Sequence, residues 1–156
     1  MRPQHHLTAS SLVAGASFLA TQSWPIALTT LAAGFLIDAD HIVDYTLYCA
    51  KQRKRPSFRE IFFCTYPAPS TKIIMPLHCY EVIPVIWIVC IVLSAGNWAL
   101  WISLSLAIHL LMDYVSWTRY SHPLFFLLAF RMNRGFSYEL LGCHNREKTG
   151  LQEVSL

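Results

Sequence analysis

Side chains able to bind a metal ion or move a proton recur along this chain in closely spaced groups: His5 and His6; Asp38, Asp40, His41 and Asp44; His78 and Glu81; His109 and Asp113. On a helix, His109 and Asp113 are i,i+4 neighbours and His78 and Glu81 are i,i+3 neighbours, spacings that bring side chains together. At about 100° per residue, Asp38, Asp40, His41 and Asp44 fall within one half of a helix surface. Mixed imidazole and carboxylate donors at such spacing are how metal sites are built inside helix bundles. The donors outnumber the needs of one tetrahedral zinc. One ion with carboxylates orienting the histidines, or a two-ion centre, is therefore expected. The ion is a divalent metal, zinc first, with manganese or iron as alternatives.

These groups must be brought together by something, and the apolar segments between them supply it. The chain has 156 residues, of which 54% are hydrophobic and only 13% charged, where soluble domains carry about 25% charged residues. Mean hydropathy is +0.40. Apolar segments run from Leu7 to Gln22, from Pro25 to beyond Ile37, from about Pro76 to Ser94, and from Trp98 to about Trp117. Ser23-Trp24-Pro25 and Gly96-Asn97 make the turns, and the basic run Lys51 to Arg59 joins the two hairpins. The expected fold is all-α, an integral membrane up-down-up-down four-helix bundle. In that topology the starts of odd helices and the ends of even helices share one face, which is where every donor group lies. Ionisable groups at membrane depth are costly and mark function.

The second segment is purely apolar only to Ile37, roughly 20 Å of helix against a bilayer core of about 30 Å. Continuing it past Asp44 makes up the length and puts the acidic cluster at or inside the membrane boundary. Pro123 to Phe130 is apolar but too short to span, so it reads as a re-entrant or interfacial piece after the fourth helix. Residues 1–132 then form the membrane metal-binding domain and residues 133–156 a polar tail. Arg2, the 51–59 run, Lys72, Arg119, Arg131 and Arg134 share the donor face, whereas residues 23–24 and 95–97 carry no Lys or Arg. The positive-inside rule places that face and both termini in the cytoplasm. The N-terminal apolar run turns straight into a second one, which argues against a cleaved signal peptide. A net charge of +3 gives no reason for a nucleic-acid partner. Five cysteines without a CxxC pair argue against a disulfide framework or a cysteine zinc site.

Plainer readings exist for each group. A single His-x-x-x-Asp is usually a hydrogen-bonded pair, Asp-x-Asp-His can be a solvated helix end, and Glu81 suits a helix start. His122 could reach the site from the end of the fourth segment, and His144 sits in the polar tail. Convergence on one face favours the functional reading.

His6, Leu36-Ile37-Asp38-Ala39-Asp40-His41, Leu77-His78-Cys79 and Ile108-His109-Leu110-Leu111-Met112-Asp113 resemble the motifs of the membrane-bound metal-dependent hydrolases, the YdjM-like inner-membrane proteins. That family has an N-terminal His, Pro-Asp-Ile-Asp-His, Thr-His-Ser and His-x-x-x-Asp in this order. Here Ile37 stands in the proline's place, and Leu77 and Cys79 replace the two hydroxyl residues. The resemblance covers roughly residues 5 to 123. It implies a bacterial inner-membrane location and metal binding by His6, Asp38, Asp40, His41, His78, His109 and Asp113, His6 being preferred to His5 on this ground. A metal-dependent hydrolase is expected, with metal-activated water attacking a lipid or lipid-linked ester or phosphoester at the cytoplasmic face. Asp44 or Glu81 is the expected general base. Arg53, Arg55, Arg131 and Arg134 could bind phosphate oxygens or serve only as topology determinants. The rival is a non-enzymatic membrane protein that binds or transports metal. Against transport, ionisable groups are nearly missing from the other half of each span.

Overall fold

The computed structural model describes residues 3–63, 75–117 and 122–137. The chain is all-helical there. Helix α1 spans Pro3–Thr21 and α2 Trp24–Leu36, followed by a 3₁₀ turn at Ile37–Asp40; α3 covers His41–Lys51 and α4 Phe58–Phe63. After the turn at residues 75–81 come α5, Val82–Val92, and α6, Gly96–Trp117; a second 3₁₀ turn, Pro123–Phe126, leads into α7, Leu128–Asn133.

Small side chains bring α1, α2 and α6 into close contact. Ser10 and Ser17 of α1, Thr30 of α2 and Ser105 of α6 are all buried, and helices carrying small residues can approach closely. The tightest point is Gly34, where a Cβ would collide with the hydroxyls of Ser10 and Ser105. The α1–α2 connection needs only two residues because Gln22 takes a left-handed conformation, φ 50°. Pro25 then sits in the first turn of α2, where its missing N–H costs nothing.

Among the described residues, helix α5 packs chiefly on α6. Between α5 and α2 an apolar cleft of about 370 Å³ stays open, lined by residues that include Ala33, Leu36, Ile37, Leu77, Ile86 and Leu106.

Two stretches, Trp24–Lys51 and Gly96–Ser116, are long and apolar enough to cross a membrane. About four main helices are present, as expected, but among the described residues neither α1 nor α5 is a candidate span, and α5 is shorter than the segment expected there. Its 11 residues rise roughly 16 Å, about half a bilayer core. The difference lies at its start: residues 76–81 form turns, because the backbone there is bound elsewhere. The expected interfacial piece also lands differently. Phe125 and Phe126 are buried against Ile37, Met75, Leu106 and Leu110, whereas Pro123, Leu124 and Ala129 stay exposed, so the segment anchors to the core by two residues.

Candidate metal centre

The second long stretch of helix overwinds where its carboxylates begin. In the Ile37–Asp40 turn, about 120° per residue leaves Asp38 and Asp40 about 120° apart, closer than the roughly 160° of an α-helix. The two carboxylates thereby flank a single imidazole. Nδ1 of His78 lies 2.9 Å from Asp40 Oδ1, and its Nε2 lies 3.3 Å from Asp38 Oδ1. Asp40 also fixes the backbone of the facing turn: its Oδ2 accepts the N–H groups of Leu77 at 3.0 Å and His78 at 3.3 Å.

Helix α6 contributes His109 and Asp113 one turn apart. His109 Nδ1 donates to the carbonyl of Gly34 at 2.7 Å, which leaves its Nε2 facing the other donors. That Nε2 is 3.3 Å from His78 Nε2, 3.4 Å from Asp38 Oδ1 and 3.2 Å from Asp113 Oδ2. His78 Nε2 is likewise 3.3 Å from Asp113 Oδ2.

Four donor atoms from the end of α2, the 75–81 turn and α6 therefore face one another. Charge-assisted N–H···O bonds are typically about 2.7–2.9 Å, shorter than any of these separations. A tetrahedron with zinc bonds of about 2.0–2.1 Å has edges of about 3.3–3.4 Å, close to the five separations that involve His78 or His109, 3.2–3.4 Å. Right-angle edges of an octahedral site with similar bonds would be near 2.9 Å. The donor set could hold a metal ion.

The site is buried on three sides. The side chains of His78, His109 and Asp113 are 2%, 1% and 8% exposed, and that of Asp38 is 26% exposed. Solvent reaches the cluster at Asp38.

The remaining expected site residues take other positions. His6, on α1, stands behind Asp113: its Nε2 is 3.2 Å from Asp113 Oδ1, and its ring stacks on His109 with centroids 4.0 Å apart. His5 is exposed. His41 borders the site, with Nε2 3.8 Å from Asp38 Oδ1, and forms with Asp40 and His78 a second donor group. Both groups use His78. With Asp40 beside Nδ1, its Nε2 is left for the first group, so the four-atom cluster is the primary one.

Glu81 does not join either group. Its Oε1 accepts the backbone N–H of Ala129 at 3.2 Å, so the general-base role expected of it is not supported by its position. Asp44 lies on α3, and its side chain falls outside the described residues. His122 is also elsewhere: it is exposed, and its Nδ1 accepts the N–H of Leu124. His144, Arg2, Lys72 and Arg119 lie outside the described residues. Arg131 is fully buried, its guanidinium donating to the carbonyls of Met75 and His78. It is neither a surface topology charge nor exposed to a phosphate.

Sequence reasoning missed two contributors, the Gly34 carbonyl and Arg131. No residue-type signal announces a carbonyl. An arginine inside the apolar run Leu127–Met132 was readable as a buried charge needing partners.

Comparison of the chain with known protein families, curated proteins and solved structures returns no match.

Proposed function

We propose that this chain is a membrane-embedded metalloprotein in which His78, His109 and Asp113 hold one divalent ion, zinc by geometry. Asp38 stands at the fourth corner as the group that meets water and substrate. One observation carries this reading: two imidazole nitrogens and two carboxylate oxygens face one another, the five separations at His78 or His109 lying near tetrahedral edge lengths, with Asp38 the single partly exposed member. A bound ion would act as a Lewis acid and lower the pKa of water at its open position.

The chain's own residues then have separable tasks. Asp40 and the Gly34 carbonyl aim the two imidazoles, and His6 holds the outer oxygen of Asp113. Asp38 accepts the proton from incoming water, the role first assigned by sequence to Asp44 or Glu81. The reaction class is hydrolysis of an ester or phosphoester, in keeping with the motif resemblance to the YdjM-like membrane hydrolases. An amphiphilic substrate suits the surroundings. The apolar cleft between α2 and α5 ends at Ile37 and Leu77, the residues immediately before Asp38 and His78. Exposed apolar side chains along α1 and α5, among them Leu12, Leu19, Ile88, Ile91 and Val92, suit lipid contact. The cytoplasmic placement of the site rests on the charge distribution of the loops.

A second reading is favoured by the completeness of the donor set. Four protein ligands close a tetrahedral zinc site and leave no catalytic position, as in a protein that only holds or passes on metal. The two readings part at Asp38. Metal content and hydrolysis of a panel of lipid esters and phosphoesters would be measured for wild type, Asp38→Asn and His109→Ala. The hydrolase reading expects Asp38→Asn to keep its ion and lose turnover about 10²-fold or more, and His109→Ala to lose the ion. Equal loss of metal in both variants would make Asp38 a ligand of a closed site and end the hydrolase assignment. No metal in folded wild type would end both readings.

A further inference from the structure

We infer that Arg131 is a positioning residue for the metal centre, and that the C-terminal 3₁₀–α7 segment, which carries no donor itself, sets the metal-binding geometry of His78. The inference rests on the metal reading of the cluster.

The turn at residues 75–81 presents His78 without the support of a helix, so its backbone polar groups need partners from elsewhere. Asp40 takes the N–H groups of Leu77 and His78 on one side. On the other side Arg131 takes the carbonyls: Nη1 donates to Met75 O at 2.8 Å and Nη2 to His78 O at 2.9 Å. His78 is thus held at its N–H by Asp40 and at its carbonyl by Arg131, two charged residues that lie 91 positions apart, and the Asp40 carboxylate also stands beside its ring. The same segment binds the turn twice more, through Tyr80 N–H to Phe126 O at 3.0 Å and Ala129 N–H to Glu81.

The choice of arginine is specific. Two planar N–H donors on one fork reach two carbonyls at once, which a lysine ammonium does not reproduce geometrically. The guanidinium also lies 5.6 Å from the Phe125 ring centroid, and Phe125 is itself fully buried. A fully buried charge is costly unless well satisfied. A surface topology charge would not be placed so, and a neutral anchor could fill the space.

The test is cobalt(II) binding to detergent-purified full-length protein, followed by its visible absorption, whose intensity and position report tetrahedral geometry. Wild type is compared with Arg131→Lys, Phe125→Leu and Arg134→Gln, alongside thermal unfolding of each metal-free form. Outer-shell residues are worth 10–100-fold in metal affinity. Arg131→Lys is expected to bind cobalt 10–100-fold more weakly with a shifted spectrum while still folded, its metal-free unfolding somewhat below wild type because one buried carbonyl loses its donor. Arg134→Gln is expected to match wild type. A folded Arg131→Lys with wild-type affinity and spectrum would overturn the inference. Should Arg131→Lys fail to fold, Phe125→Leu decides, since it leaves the arginine but loosens its aim. Weaker binding with a shifted spectrum supports the inference, and unchanged binding overturns it. Wild type without cobalt binding would instead remove the metal reading on which it rests.

Discussion

His78 and His109 are aimed by different means, and the difference predicts how each fails. A carboxylate stands beside Nδ1 of His78, whereas a backbone carbonyl accepts from Nδ1 of His109. Asp40→Asn keeps the volume but removes a charge that favours the required tautomer, so metal affinity should fall about 10–100-fold. Isothermal titration with zinc would measure it, and an unchanged affinity would show that the Nδ1 contact does not orient the ring. The histidine pair at the N-terminus separates in the same way. His6 is buried against Asp113 and His109, and His5 is exposed. His6→Ala should weaken metal binding, while His5→Ala should change stability by no more than about 0.5 kcal/mol. The residue types and their order along the chain made these donors visible in the sequence. Which of them face inward, and which only hold another in place, depends on rotations of a few tens of degrees that spacing does not resolve.

At the scale of elements, long apolar runs were legible because their composition alone requires helices. The ends were not. Residues 76–78 continue an apolar pattern, yet tertiary bonds from Asp40 and Arg131 hold them in a turn, and nothing local reveals partners 37 and 53 positions away. The overwinding at Ile37–Asp40 was equally hidden, since a helix-wheel reading assumes a constant pitch. Gly34 was readable as a small residue but not as the contact point of three helices. Gly34→Ala should cost about 1–3 kcal/mol from overpacking, and it should also displace the carbonyl that aims His109. Chemical denaturation would show the first effect and zinc titration the second.

The link between α3 and α4 offers a pH test. Tyr45 donates to Glu60 Oε2 and accepts the Ser57 N–H, while Lys54 pairs with Glu60. The Lys54 and Tyr45 hydrogen bonds hold the Glu60 carboxyl below its ordinary value, and the Glu60 hydrogen bond raises the Lys54 ammonium. Glu60 therefore contributes stability above its ordinary value and loses it as pH falls through the lowered one. Lys54 contributes below its ordinary value and loses it as pH rises through the raised one. Hydrogen-exchange protection of the Ser57 amide, corrected for intrinsic rates, should be flat near neutrality and fall at both extremes. A monotonic profile would exclude the pair as the tether.

For the whole molecule, the decisive property is that the donors come from segments far apart in sequence. Asp38, His78, His109 and Asp113 meet only when the end of α2, the 75–81 turn and α6 are assembled, so an unfolded chain has no comparable site. A ligand that binds only the folded form stabilises it by about 2.7 kcal/mol at 100 times its dissociation constant. At this size that corresponds to a rise in Tm of about 5–10 °C. The protein should therefore melt higher with zinc than with chelator, and His109→Ala should melt at one temperature in both. The separation also assigns the effect to a place. If His109→Ala kept the full metal-dependent shift, the ion would be acting elsewhere, at the Asp40–His41–His78 group or on the basic surface. If wild type showed no shift, the four atoms would be held together by shared protons. In that case the three buried members would be a structural knot tying α6 to the turn, with His6 linking α1, and Asp38→Asn would cost little in stability because it alone of the four is partly exposed.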